Sequence, residues 1–402
     1  MRIVQIEDFF LPNAGYQINI LSKYFAKQGH DVTIIAGTLD KMPSYLTSFF
    51  GKDGVEADDA KYTNETGVKI IRLPVIACIS GRAIFGKKLE RTVENLKPDV
   101  LYIHDSDTWV GIKYILKAHK LDYPLVYDNH MLEMASVNPL AKQYRWFYKT
   151  FVTPKIIKHK LKIIRIQDDE YVNKCLGIPL SQCPFISVGS DTLLFKPDQK
   201  VRMDFRKEHN IPLENFVVVY TGKIDKFKGG KLLAEAFRKE FINNKNKKTT
   251  LLVVGNSSGE YGNEVEEVFS QSENQILRFP TQKYVDLPQF YQAADLSVFP
   301  KQCSLSFYDA QACGLPVVSE DNSVNVDRLK FGNGFNFQSD NVDDFRGKIT
   351  RFIEMEENEI AEISANAYNL VKKHYNYEDI AKQYLDIIEE EVSNFRKRSV
   401  PR

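Results

Sequence analysis

Two successive sets of short apolar runs, each run followed by a stretch of helical periodicity, constrain this chain more than any other feature of its sequence. In the first set, residues 2–6 (RIVQI), 31–36 (DVTIIA), 68–75 (VKIIRLPV), 99–104 (DVLYIH), 124–127 (PLVY) and 161–166 (LKIIRI) read as strands. Between the first two, residues 17–27 place Ile18, Leu21, Tyr24 and Phe25 on one helical face. Strands that are apolar on both faces and alternate with helices belong to parallel sheets with crossover connections. The expected architecture is a doubly wound α/β unit.

A second set begins after Lys196-Pro197-Asp198. Strands are expected at 216–220 (FVVVY), 250–254 (TLLVV), 276–279, 296–299 (LSVF) and 316–319 (PVVS), and helices at 231–241, 265–271, 287–294 and 306–313. Three helical patterns close the chain, the last from Tyr377 to about Phe395. At 402 residues the chain is too long for one core. The expectation is two Rossmann-like domains facing across a cleft, 1–196 and 197–374, with 375–402 crossing back to the first.

Lys and Arg number 54 against 53 Asp and Glu, a net charge of +1, which argues against general nucleic-acid binding. No uninterrupted apolar run is long enough to cross a membrane. The opening MRIVQIEDFF lacks the apolar centre of a secretion signal. Cys78, Cys175, Cys183, Cys303 and Cys313 are widely spaced and form no C-x-x-C pair, so neither a disulfide framework nor a zinc site is indicated. A reduced, cytoplasmic protein is expected, with no metal and no cofactor.

In an open α/β sheet, ligands bind beyond the carboxyl ends of the strands. The loop 8–16 after the first strand carries Gly15 at a helix start, where a backbone N–H can approach a phosphate or sugar oxygen. It is not G-x-G-x-x-G, so a dinucleotide site is not indicated. The densest cluster is 300–318 (PKQCSLSFYDAQACGLPVV). There the amides of Ser304, Leu305 and Ser306 open a helix whose partial positive charge suits a diphosphate, and Asp309, one turn on, suits ribose hydroxyls. His130 ends the strand 125–129 on the ligand side of the sheet. Asp105-Ser106-Asp107 has a metal-binding spacing, but reads as strand-end polar residues with Asp107 capping the next helix.

Residues 141–165 carry eight cations, among them Lys142, Lys155, Lys158 and Lys160, and no acid, interleaved with Trp146, Phe147, Tyr148 and Phe151. Such a segment is either a peripheral contact with anionic lipid on the inner face of a membrane or a solvated helix whose aromatics enter the core.

The stretch 308–318 (YDAQACGLPVV) resembles the donor-site signature of family-4 retaining glycosyltransferases of GT-B fold, usually E-x7-E within E-G-F-G-L-x-x-x-E-A-x-A-C-G-x-P-V-V. Residues 222–229 (GKIDKFKG) resemble the family's G-R-x-x-x-x-K-G loop with Lys223 for arginine, and 188–197 (VGSDTLLFKP) its N-G-V-D-x-x-x-F-x-P linker. Val253-Val254-Gly255-Asn256, 286–300, 331–334 and 375–388 agree in order and spacing. The resemblance implies a GT-B fold with an N-terminal acceptor domain and a C-terminal donor domain. It implies metal-independent transfer of a sugar from a nucleotide, UDP rather than GDP, to a hydroxyl of a glycan or lipid-linked glycan, with retained configuration. Lys223, Lys228, Gly222, Gly255 and the 304–306 amides would hold the diphosphate, and Asp309 the ribose. His130 would touch the donor sugar, and Gly15 would let acceptor and phosphate meet.

Where the family has its first glutamate this chain has Lys301, and Asp309 stands for the second. Lysine offers only donors and reverses the charge. Three readings follow: Lys301 pairs with an acidic donor sugar, another acceptor such as Glu320 approaches the sugar, or the chain is a non-catalytic GT-B subunit. A GT-B sugar-nucleotide epimerase is a further alternative.

Overall fold

The structure is a computed structural model that describes residues 1–43, 54–133, 139–302 and 304–399; Cys303 lies outside the described residues. The chain divides into two compact units, Met1–Val188 with Tyr377–Arg402, and Gly189–Asn376.

The first unit holds β1 (Arg2–Glu7), β2 (Asp31–Gly37), β3 (Lys69–Leu73), β4 (Val75–Ile79), β5 (Arg82–Phe85), β6 (Val100–Ile103), β7 (Leu125–Asn129) and β8 (Lys162–Arg165). Six of these form a parallel sheet in the order β3-β2-β1-β6-β7-β8. All of β6 and β7 is buried, as the apolar residues 100–103 and 125–127 require of strands covered on both faces, with Asp128 and Asn129 buried at the end of β7. The strand order reverses between β1 and β6, so the loops leaving these two strands diverge and open a crevice at their carboxyl ends.

The second unit repeats the plan with β9 (Phe216–Thr221), β10 (Thr249–Val254), β11 (Gln275–Phe279), β12 (Leu296–Phe299), β13 (Val317–Glu320) and β14 (Gly334–Phe337). Their order is β11-β10-β9-β12-β13-β14, again wholly parallel, with the reversal between β9 and β12.

Three features depart from the sequence reading, the first being β14, which it did not include. The run 68–75 ends as a sheet strand at Leu73, and the chain then folds into the antiparallel β4–β5 hairpin. Ser80 (φ 52°) and Gly81 (φ 78°) turn it, both left-handed, as a two-residue hairpin loop requires. The passage between units falls after Val188 rather than at 196. Residues beyond it are fastened to the second unit, where the Ser190 amide donates to the Tyr375 carbonyl at 2.8 Å.

The closing helix Tyr377–Ser399 belongs to the first unit. It buries Tyr377, Ile380, Ala381, Tyr384, Leu385 and Ile388 at helical spacing. The Tyr384 hydroxyl takes a hydrogen bond from Gln17 Nε2 at 2.6 Å, tying it to the helix Gln17–Lys27. No described helix is long and apolar enough to cross a membrane.

Candidate functional site

In the second unit, the loops leaving β9, β10 and β12 meet at the carboxyl edge of the sheet. The Gly222 amide donates to Val254 O at 3.0 Å and the Ile224 amide to Asn256 O at 3.2 Å, joining the first two loops. A Cβ on Gly255 (φ 150°) would stand 1.9 Å from the Gly222 carbonyl oxygen, so only glycine permits this approach. At Gly229 (φ 75°) an added Cβ would lie 3.0 Å from Lys301 Cβ, which sets the 222–229 loop directly against the end of β12. Gly222, Lys223, Lys228, Gly255 and Lys301 are thus brought to one edge.

Lys223 is partly buried and its carbonyl accepts from the Tyr220 hydroxyl at 2.6 Å. Burial lowers its ammonium pKa below the ordinary lysine value; Asp225 opposes the shift and the nearby Lys228 charge adds to it. The Lys228 amide is anchored by Asp225 Oδ1 at 2.8 Å. Two ammonium groups that feel one another, beside a lattice of backbone amides, form a place where a polyanion lowers the local charge strain.

Lys301 Nζ pairs with the exposed Asp340 at 2.7 Å. That hydrogen bond raises its pKa above the usual range. Glu320 ends β13, is buried, and accepts the Gln302 amide at 3.1 Å; Gln302 itself is left-handed (φ 57°). Ser304, Leu305 and Ser306 are partly exposed at the start of the helix Ser306–Ala312. The Ser306 amide turns back to Ser304 Oγ at 3.3 Å, and the Ser304 carbonyl accepts from Arg328 at 2.8 Å.

Asp309 is where the structure departs most from the sequence reading. The residue is only 4% exposed, and its Oδ1 accepts from the Ser190 hydroxyl at 2.7 Å and the Tyr284 hydroxyl at 3.1 Å. Burial pushes its pKa up to about 7, opposed by the two hydroxyl donors.

In the first unit, Gly15 lies partly exposed in the loop after β1, which Asn19 Nδ2 holds at the Leu11 carbonyl at 2.9 Å. His130 follows β7, with Nε2 3.1 Å from Asp128 Oδ2 and its amide on Asp105 Oδ1 at 2.6 Å. Asp105 and Asp107 are not helix caps. Asp105 (φ 65°) pairs with Arg82 of the hairpin at 2.9 Å, Asp107 accepts from the Tyr171 hydroxyl at 3.0 Å, and Thr108 caps the helix Trp109–Lys117. His104, Asp128 and His130 bring ligand atoms within 4.8 Å of one another, but those atoms already bond to protein groups: both His104 nitrogens are used, by Asp128 and by Gln5.

Sequence reasoning missed Arg82, His104 and Asp128. Asp128 had a signal: it precedes His130 by two residues, and side chains two apart in extended backbone share a side. Arg82 lacked one until the hairpin was known.

The segment 141–165 splits its aromatics. Tyr148 is fully buried, whereas Trp146 (64% exposed), Phe147 and Phe151 face outward beside Lys142, Lys149 and Lys158.

Comparisons with known proteins match each unit separately. Residues 14–158 match Glycosyltransferase Family 4, and residues 201–370 match Glycosyl transferases group 1. A D-inositol 3-phosphate glycosyltransferase of Corynebacterium jeikeium is 26% identical over 227 residues, covering 53% of this chain and 51% of that protein, so the chain spans about half the length of the curated relative it matches. Among solved structures, a glycosyltransferase from Rickettsia africae superposes with a TM-score of 0.74 at 14% identity, covering 98% of this chain and 99% of that one. Anabaena Alr3699/HepE in complex with UDP-glucose gives a TM-score of 0.73 at 17% identity, covering 97% and 100%. The chain therefore has the two-domain GT-B fold, its first unit carrying the Glycosyltransferase Family 4 match and its second the Glycosyl transferases group 1 match.

Proposed function

We propose that the protein is a glycosyltransferase that moves a sugar from a nucleotide donor to an acceptor hydroxyl with retained anomeric configuration. The observation that carries this reading is the meeting of Lys223, Lys228, Gly222 and Gly255 at the carboxyl edge of β9 and β10, beside the strand-order reversal. The anomeric C–O bond to the diphosphate breaks and an acceptor C–O bond forms on the same face. The two ammonium groups and the 304–306 amides stabilise the charge developing on the departing diphosphate, a task that needs no metal. The leaving phosphate oxygen takes the acceptor proton. His130, from the first unit, donates to the transferred sugar, and Gly15 lets the acceptor come close. Asp309, buried against Ser190 and Tyr284, shapes this end of the second unit.

The likeness to an Anabaena protein solved with UDP-glucose supports UDP as the nucleotide. The outward Trp146, Phe147 and Phe151 among lysines support docking on anionic lipid, with a glycan or lipid-linked glycan as acceptor at the inner membrane face.

The test is incubation with UDP- and GDP-sugars, uronic acids included, with and without glycan acceptors and with a metal chelator. Expected is transfer that survives chelation and yields the donor's anomer. An altered nucleotide sugar formed without acceptor would identify an epimerase, and the lack of both turnover and nucleotide binding a non-catalytic subunit.

A further inference from the structure

At the end of β7 one buried carboxylate gathers four donors. Asp128 Oδ2 lies 2.5 Å from the Tyr102 hydroxyl, 2.8 Å from His104 Nδ1 and 3.1 Å from His130 Nε2. Its Oδ1 accepts the Asp105 amide at 2.9 Å. Asp128 is fully buried and touches no solvent, whereas 30% of the His130 side chain is exposed. His104 also uses Nε2 on Gln5 Oε1 at 2.9 Å, whereas the second ring nitrogen of His130 has no hydrogen-bond partner among the described residues.

A carboxylate only accepts, so the hydrogen between the two groups sits on His130 Nε2, and Nδ1 is the nitrogen turned to the surroundings. The neighbouring charges decide whether Nδ1 also carries one. Glu7 from β1, Asp105 after β6 and Asp128 from β7 favour the cation. Arg82 from β5 is spent on Asp105 at 2.9 Å, and the His104 ring lies 6.3 Å away, centroid to centroid. Arg165 and Asp169, from the end of β8, share a small cavity with His130 and offset each other in sign.

We propose that Asp128 is a positioning residue that fixes His130 through Nε2 and keeps it an imidazolium, so that Nδ1–H is the donor presented to the transferred sugar. This deepens the reading of His130 given above and rests on it. Burial works against the charge, yet Asp128, Asp105 and Glu7 together raise the His130 pKa to about 9. A permanent donor at that nitrogen binds an oxygen that gains negative charge more tightly than a neutral one.

Nitrogen-15 NMR of the full chain labelled at histidine, with the His130→Gln variant giving the assignment, reads the ring directly. Expected is a His130 ring that stays protonated at both nitrogens up to pH 8, and in Asp128→Asn a titration midpoint lowered by roughly one to three units. The alkaline limb of the kcat/KM profile for transfer moves to lower pH by the same amount. A wild-type ring that titrates near the ordinary 6.5, or one that Asp128→Asn leaves unmoved, would overturn the proposal. If Asp128→Asn does not fold, the wild-type titration alone decides. Transfer unchanged in His130→Gln, with the ring titrating high, would sink the role of His130 in the reaction, and the sugar-donor part of the proposal with it, while the pairing stood.

Discussion

The Ser190 hydroxyl donates to Asp309 Oδ1 at 2.7 Å, joining the residue just inside the second unit to the helix Ser306–Ala312 across 119 positions of chain. Tyr284 adds a second donor to the same oxygen. The helix Ser306–Ala312 is therefore pinned by a buried acid, and that acid is sensitive to pH.

Asp309 has an ordinary pKa of 3.8 and is pushed up to about 7 by burial. A group whose folded pKa is raised contributes stability that is complete below the unfolded value and lost as pH climbs through the folded one. Denaturant unfolding of the second unit is expected to weaken between pH 4 and pH 7. Asp309→Asn keeps an oxygen for both hydroxyls and should flatten that slope; a variant as pH-dependent as wild type would remove Asp309 as its source.

Lys228→Ala should lower kcat/KM for donor turnover about 100-fold, the scale for removing one group that stabilises developing charge. The side chain is partly exposed, so the thermal midpoint should hardly move. Steady-state assays paired with thermal scans check both parts, and wild-type rates would take this lysine out of the site.

Gly255→Ala forces a Cβ to within 1.9 Å of the Gly222 oxygen. The loops must separate, at a cost of about 3 kcal/mol or more, and chemical denaturation should report it. Nucleotide affinity should fall with it, because Gly222 and Lys223 move.

Lys301→Gln is expected to reduce use of uronic-acid donors several-fold relative to neutral ones, since its exposed partner Asp340 holds it only weakly and a donor carboxylate would exchange for it. Relative kcat/KM across the donor panel is the measurement. An unchanged ratio would leave Lys301 as a surface ion-pair residue.

Both sheets except β14 were readable from the apolar runs, because strands buried on two faces leave little ambiguity in composition; β14 is short and mostly half-buried. The hairpin β4–β5 was not, since its short partly exposed strands look like the continuation of β3; the Ser80-Gly81 turn was the clue. In the second unit, loop spacing placed Lys223, Lys228 and Gly255 at one sheet edge, whereas the inward turn of Asp309 depends on Ser190 and Tyr284, which no local pattern connects to it. The strand-end position of His130 was legible, but the charge network behind it draws on Glu7 of β1, Arg82 of β5 and His104 after β6.

The helix Tyr377–Ser399 completes the first unit although it is made after the whole of the second. A nascent chain that has left the ribosome through residue 188 lacks Tyr384, Leu385 and Ile388, all buried in the finished unit. The second unit, continuous in sequence, has every strand it needs before that helix emerges. Completion of the first unit thus follows synthesis of the second, the amino-terminal sheet waiting for a helix encoded beyond residue 376.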